Sequence, residues 1–186
     1  MSAYSNFEEI QKALAAPFPR AEVLGRIGTK SKDGKKAQVL AYVDARTVMK
    51  RLDAVLGIDG WTDEMRPIAD GKGFVCRLGV RVPGGDWIYR EDVADLSQVE
   101  AVKGGASDAF KRAAVKFGVG RYLYDLDSPW VELNNGFLPR NFMFPLPDWA
   151  LLEQDRMTGL PSQGASSETA PWEEPAGNAS ANSDLL

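Results

Sequence analysis

The chain has 186 residues, a length that suits one globular domain with a short extension. Its hydrophobic fraction of 44% and charged fraction of 26% exclude a wholly disordered chain, a collagen and a coiled coil. Every basic residue lies at or before Arg156, whereas Glu168, Glu173, Glu174 and Asp184 follow Met157. The net charge of −4 therefore belongs to the C-terminal segment. Residues 1–157 carry equal numbers of acidic and basic residues, so this part of the chain need not repel a polyanion.

Histidine is absent and Cys76 is the only cysteine. The commonest general base and metal ligand is therefore missing, and a zinc site would lack soft ligands. No internal disulfide is possible, no run of 18 apolar residues occurs, and the N-terminal sequence lacks a secretory leader. We therefore expect a cytoplasmic chain without a membrane span, a metal site, a cofactor or a catalytic residue.

The first part of the chain shows local signals for two helices and a hairpin. The sequence predicts a helix at 6–16, a β-hairpin at 22–42 and a second helix at 44–56. Asp33 and Gly34 form a good hairpin turn signal. Asp44 is placed as the N-cap of the second helix, and Gly57 ends it.

The middle of the chain predicts a three-stranded meander followed by the longest helix. The predicted strands are 61–68, 74–82 and 87–93, and the predicted helix is 98–117. Residues 121–150 are rich in aromatic residues and proline, which predicts an irregular segment with a short helix from Asp148. Because strands are not alternating with helices, we expect an α+β fold with an antiparallel β-β-β-α core and a basic N-terminal hairpin.

The C-terminal segment differs from the rest in composition. Residues 158–186 are acidic and rich in Ser, Ala, Gly and Pro, which predicts a disordered tail after a domain of residues 1–157. Trp172 stands among acidic residues in this tail. It is either a docking motif for a protein partner or a solvated aromatic without a role, and the sequence leaves both open.

The predicted hairpin turn concentrates positive charge. Residues 26–36 contain one acid, Asp33, and five basic residues: Arg26, Lys30, Lys32, Lys35 and Lys36. Mobile lysines on a projecting turn suit phosphates, which require charge without fixed geometry. A lysine-rich turn also keeps a sheet edge soluble, and the charge alone favours this simpler explanation.

Other basic residues lie on the two main helices. Arg46 falls in the first turn after Asp44, where the helix dipole disfavours a cation. Either an acidic partner inside the fold or an anionic ligand would explain it. Lys111, Arg112 and Lys116 lie outside the apolar stripe of the long helix. By spacing alone they are ordinary surface charges, because Asp108 can pair with Lys111 at i+3 and with Arg112 at i+4.

Three stretches carry a family resemblance: AYVDARTVMKRLDAVLGIDGW (41–61), YREDVADL (89–96) and KGGASDAFKRAAVKFGVGRYLYDLDSPW (103–130). With LPDWA (146–150), they resemble the Rad52/Rad22 single-strand annealing superfamily, most closely its bacterial DdrA (DNA-damage-response A) branch. The resemblance implies a homo-oligomeric ring that binds single-stranded DNA without reading sequence. The backbone would lie in a basic groove while the bases stay exposed for end protection or strand annealing in DNA repair and recombination. It implies no enzymatic activity and a nucleoid-associated location.

The resemblance also carries over DNA-binding positions. Those that match the inner site of the family are Arg46, Lys111 and Arg112. A further basic position falls on Val115, with Lys116 beside it. The stretch that supplies an outer site in the family has only Lys103 here, so the basic hairpin at 26–36 is the candidate substitute.

Two other functional classes stay open from the residues. One is a carboxylate-dependent enzyme acting on nucleic acid, although adjacent acids in a predicted strand, such as Glu91 and Asp92, point to opposite faces. The other is a structural oligomer whose basic residues form ion pairs between subunits.

Overall fold

The computed structural model describes residues 6–96 and 101–157 of the chain. These residues form an α+β fold, as predicted. The helices are α1 (Phe7–Ala15), α2 (Ala45–Leu56), α3 (Ala101–Val115) and α4 (Glu153–Met157). The strands are β1 (Leu24–Lys30), β2 (Lys36–Tyr42), β3 (Trp61–Pro67), β4 (Gly73–Arg81), β5 (Trp87–Asp95) and β6 (Trp130–Glu132). The predicted tail with Trp172 lies outside the described residues.

The predicted N-terminal hairpin is confirmed by the pairing of β1 with β2. Asp33 closes the turn because its carboxylate accepts hydrogen bonds from the Ser31 hydroxyl at 2.7 Å and from the Lys35 amide at 3.0 Å. Gly34 adopts a φ of 69°, a conformation that glycine tolerates best. The hairpin tip is thus held in a defined turn rather than being a loose loop.

A third strand joins this hairpin and corrects one prediction. Residues 121–150 are not irregular throughout, because β6 pairs antiparallel with β2. Two short 3₁₀ helices, Arg121–Asp125 and Asp148–Ala150, also lie in this segment. A three-residue strand is too short to show a β periodicity, so the sequence alone did not indicate it.

The second sheet forms the predicted meander, with strand order β3-β4-β5 and antiparallel pairing throughout. Helix α3 packs across one face of this sheet. The buried side chains of that layer include Cys76, Leu78 and Val80 from β4 and Phe110 and Ala113 from α3. Removal of this apolar surface from water is what holds the helix to the sheet.

The long helix ends two residues before the predicted boundary at 117. Its last residue is Val115, and the chain turns through Gly118 and Gly120, whose φ values are 101° and 67°. These left-handed conformations of the glycines end the helix, although the apolar residues at helical spacing continue to Phe117. Its predicted start at 98 lies outside the described residues.

One continuous core connects the two sheets. Buried residues from α1, β2, α2, β4 and α3 belong to the same cluster, together with Phe144, Leu146 and Leu151 from the C-terminal part of the domain. Within the described residues, no helix is both long and apolar enough to span a membrane. The core thus fixes the first sheet and α3 relative to each other, which positions the candidate site.

Candidate nucleic-acid interface

A groove of about 900 Å³, here called the α3 groove, opens on the surface of the described residues. It is lined by residues of β1, β2, α2, β5, α3 and the segment 119–128. Its apolar lining includes Leu40, Val43, Val48, Val93, Val115, Val119, Leu123 and Leu126. Aliphatic walls of this kind provide contact area without hydrogen bonds that would select a particular base.

Basic residues from two different elements meet in the α3 groove. Lys111 and Arg112 from α3 line it together with Arg26 from β1. The Lys111 ammonium lies 2.9 Å from the Asp108 carboxylate and 5.6 Å from the centroid of the Tyr42 ring. The predicted pair of Asp108 with Lys111 is therefore present, whereas Arg112 pairs with Asp92 on β5. Lys111 also lies over an aromatic face of the first sheet.

Arg26 is a groove residue that the sequence did not mark as a DNA contact. It contributed to the charge of the segment 26–36, but it lies four residues before Lys30 and away from the turn. The fold brings β1 and α3 to the same groove through long-range packing. The sequence contains no local signal for that approach.

Arg112 is held by an acidic residue of the neighbouring strand. Its Nε lies 3.2 Å from one carboxylate oxygen of Asp92, and the Lys116 ammonium lies 3.4 Å from the other. Lys116 also donates a hydrogen bond to the main-chain carbonyl of Glu91. Burial opposes the ionisation of Asp92, but the Val93 amide and the two cations outweigh it and lower the pKa of Asp92.

Glu91 and Asp92 point to opposite faces of the sheet, as predicted. The Glu91 carboxylate lies 2.9 Å from Arg66 and 3.7 Å from Arg77, whereas Asp92 faces α3. The pair therefore cannot act together on one substrate. Among the residues of the two described ranges, no group of three or more acids or cysteines is arranged to hold a metal ion.

Lys116 does not line the α3 groove. It borders a separate small cavity of about 90 Å³ formed with residues of α1, including Phe7 and Leu14, and with Arg90 and Phe117. Residue 116 is one turn beyond Arg112, where the helix has already ended. Lys116 therefore lies outside the groove that Lys111 and Arg112 line, although it shares the Asp92 carboxylate with Arg112.

Arg46 lies next to the groove without lining it. It is exposed in the first turn of α2, between the groove residues Val43 and Val48. Asp44 accepts a hydrogen bond of 2.7 Å from the Thr47 amide, which confirms the predicted N-cap. Within the described part of the chain, Arg46 forms no ion pair, although its charge is one of the smaller causes that lower the pKa of the nearby Asp44.

The predicted lysines of the hairpin lie at a second location. Lys30, Lys32, Lys35 and Lys36 surround the β1–β2 turn, and none of them lines the α3 groove. The Lys36 ammonium lies 4.0 Å from Glu132 on β6, an exposed pair of little energetic weight. The candidate residues thus form two basic surfaces, one at the groove and one at the hairpin tip.

Comparisons with known proteins identify the family of this chain. Residues 6–142 match the model of the Rad52/22 family double-strand break repair protein. A single-stranded DNA-binding protein DdrA of Deinococcus deserti is 39% identical over 155 residues, which is 81% of this chain and 74% of the relative. The protein of that name from Deinococcus radiodurans is 37% identical over 153 residues, or 81% and 72% of the two chains. The chain belongs to the Rad52/22 family of double-strand break repair proteins.

Proposed function

We propose that the chain binds single-stranded DNA without reading its sequence, and that the strand lies in the α3 groove. In this role it protects DNA ends, anneals strands, or does both during repair and recombination. The observation that carries the proposal is the meeting of Arg26, Lys111 and Arg112 in one groove with aliphatic walls. The names of the two Deinococcus relatives support the same ligand.

The chemistry of the groove suits a single strand of any sequence. Basic side chains contact phosphates, which position the backbone but carry no sequence information. Aliphatic side chains contact sugars and base faces, which every nucleotide has. No bond is made or broken in this process, so we propose a binding protein and not an enzyme.

The remaining candidate cations have different proposed roles. Arg46 lies at the start of α2 beside the groove. Its exposed side chain can contact a phosphate at the point where the DNA strand leaves the groove. The hairpin lysines, Lys30, Lys32, Lys35 and Lys36, form a second basic surface for another DNA segment. Lys116 is proposed to act only indirectly, because it is engaged with Asp92 and Glu91.

We further propose that the chain works as a homo-oligomeric ring. Large apolar side chains are exposed outside the groove in the described chain, among them Ile58, Val102, Trp130 and Phe137. Where such side chains form a contiguous patch, they mark a surface that another protein covers. In a ring, the grooves of neighbouring subunits would join into one track, and the tail around Trp172 would remain available to a protein partner.

Fluorescence anisotropy with a labelled oligo-dT tests the proposal. We expect the wild-type chain to bind the single strand more tightly than a duplex of equal length, with affinity falling steeply as salt rises. Lys111→Gln and Arg112→Gln should each weaken binding and reduce the slope of log K against log salt by about 0.7 for each lost phosphate contact. Lys12→Gln on α1 is the matched control, because Lys12 does not line the groove.

Two results would contradict the proposal. One is the absence of binding at low salt by both the full chain and a chain that ends at Met157, a control for inhibition by the acidic tail. The other is a set of Lys111 and Arg112 variants that lose their assembly in sedimentation experiments. That result would assign these cations to contacts between subunits.

A further inference from the structure

Asp92 occupies an unusual place among the basic residues of α3. It lies on β5 facing the helix, and its side chain is only 16% exposed. The two cations that it contacts are more accessible, with exposed fractions of 51% for Arg112 and 44% for Lys116. The acid is therefore fixed in the sheet, while the two cations can turn towards solvent or a ligand.

We propose that Asp92 restrains strand binding by holding Arg112 and Lys116 against β5. The proposal rests on the function proposed above and adds a regulatory feature to that site. Asp92 is a positioning residue in this view, since it acts through the cations and does not contact DNA itself.

The contacts of Arg112 show how the restraint works. Its Nε–H is directed at Asp92 over 3.2 Å, so a phosphate can reach only the remaining donors of the guanidinium. The carboxylate also places a negative charge next to the position that a phosphate would take, which weakens the attraction. Arg112 therefore binds a phosphate less strongly than an unpaired arginine would.

Lys116 is held more completely. It contacts the second carboxylate oxygen of Asp92 at 3.4 Å and donates to the Glu91 carbonyl as well. These contacts keep its ammonium away from the α3 groove. Without the charge of Asp92, Lys116 loses one of the two contacts and gains freedom to reach a phosphate near Arg112.

Asp92→Asn tests the restraint, because it removes the charge and keeps nearly the same shape. We expect this variant to bind oligo-dT about 3- to 10-fold more tightly than wild type at low salt, because two ion pairs of modest strength between Asp92 and its more exposed cations are lost. The slope of log K against log salt should become steeper by up to about 0.7 if Lys116 gains a phosphate contact.

Glu91→Gln is the matched control. It removes the same charge from the adjacent position of β5, but on the opposite face, where Glu91 pairs with Arg66 and Arg77. We expect Glu91→Gln to leave the affinity and the salt slope at their wild-type values. An equal gain in both variants would mean a general effect of net charge and would overturn the proposal.

The Asp92→Asn substitution in a chain that also carries Arg112→Gln shows whether Asp92 acts through Arg112. In Arg112→Gln chains, the gain from Asp92→Asn should shrink, because one of the two restrained cations is absent. An equally large gain in oligo-dT affinity in Arg112→Gln chains would show that Asp92 does not act through Arg112 and would overturn the proposal. If the Asn variant does not fold, Asp92→Ser repeats the test, since its smaller side chain also lacks the charge.

The two proposals fail in different ways. If the wild-type chain does not bind oligo-dT, the proposed function is wrong and the restraint with it. If wild type binds and folded Asp92→Asn binds no more tightly, only the restraint is wrong. A lower melting temperature with unchanged affinity would show that Asp92 serves stability alone and would also overturn the restraint.

Discussion

Asp44 and Asp92 have pKa values below the ordinary value for aspartate, but for different reasons. At Asp44 the main cause is the hydrogen bond that the Thr47 amide donates to the carboxylate. At Asp92 burial raises the pKa, and the Val93 amide with Arg112 and Lys116 more than offsets it. Asp44 thus stabilises the start of a helix, whereas Asp92 sets the charge around the proposed DNA-binding cations.

Replacement of Asp44 tests how much its capping hydrogen bond and its negative charge contribute to stability. We expect Asp44→Ala to lower the free energy of unfolding by about 1 kcal/mol at neutral pH, since the Thr47 amide loses its acceptor. A lowered pKa in the folded state stabilises the fold above the unfolded pKa of about 3.9, and this stabilisation is lost as pH falls through the folded-state pKa.

Urea unfolding of wild type and Asp44→Ala at neutral and acidic pH measures both effects. The difference between the two chains should be largest near neutrality and should shrink as the pH falls towards about 2. Protonation of Asp92 affects both chains equally and cancels in the difference. A gap of the same size at every pH would show that the charged form of Asp44 has no special part in the cap.

At the scale of elements, α1 and α2 are joined through Arg51. Its guanidinium donates hydrogen bonds to the carbonyls of Ala13, Leu14, Ala16 and Pro17, at distances from 2.6 to 3.4 Å. It also lies 4.3 Å from the centroid of the Phe18 ring. A helix end leaves carbonyls without partners inside the helix, and Arg51 satisfies those of α1 from a neighbouring helix.

Arg51→Met should separate this contribution from simple packing, because methionine keeps an apolar stem and loses the donors. We expect a loss of about 2–3 kcal/mol in the free energy of unfolding, as for charged hydrogen bonds to partly buried acceptors. Chemical denaturation measures the loss. Lys50→Met is the control on the adjacent exposed position and should change stability by less than about 0.5 kcal/mol. Equal losses in the two variants would contradict the role given to Arg51.

The elements also show which features the sequence could predict. The cap at Asp44, the turn at Asp33 and the meander depend on residues close in the chain, so local patterns indicated them correctly. The strand β6 depends on a partner, β2, that is distant in sequence, and its three residues have no pattern of their own. Arg26 and Arg51 acquire their contacts only when separate elements pack together.

At the scale of the whole molecule, the charge of the α3 groove determines DNA affinity more than the net charge of the chain does. The α3 groove has three basic residues, but Asp95 and Asp108 also line it, and Asp92 holds Arg112. One subunit therefore presents a modest positive potential, and we expect its affinity for a single strand to be weak. Joining several grooves in one assembly would raise the affinity without any new kind of contact.

A ring of joined grooves predicts that the affinity for DNA depends on the length of the strand. If subunits assemble into a ring, oligo-dT affinity should rise steeply between roughly 8 and roughly 40 nucleotides, because each added groove binds an already tethered strand. Sedimentation velocity at the same concentrations should then show a particle several times heavier than the 20.3 kDa chain. Dilution until the assembly dissociates is the control, and it should abolish the length dependence. A 20.3 kDa particle whose affinity is the same for short and long strands would contradict the ring but not the groove, since a single groove saturates with one short segment of strand.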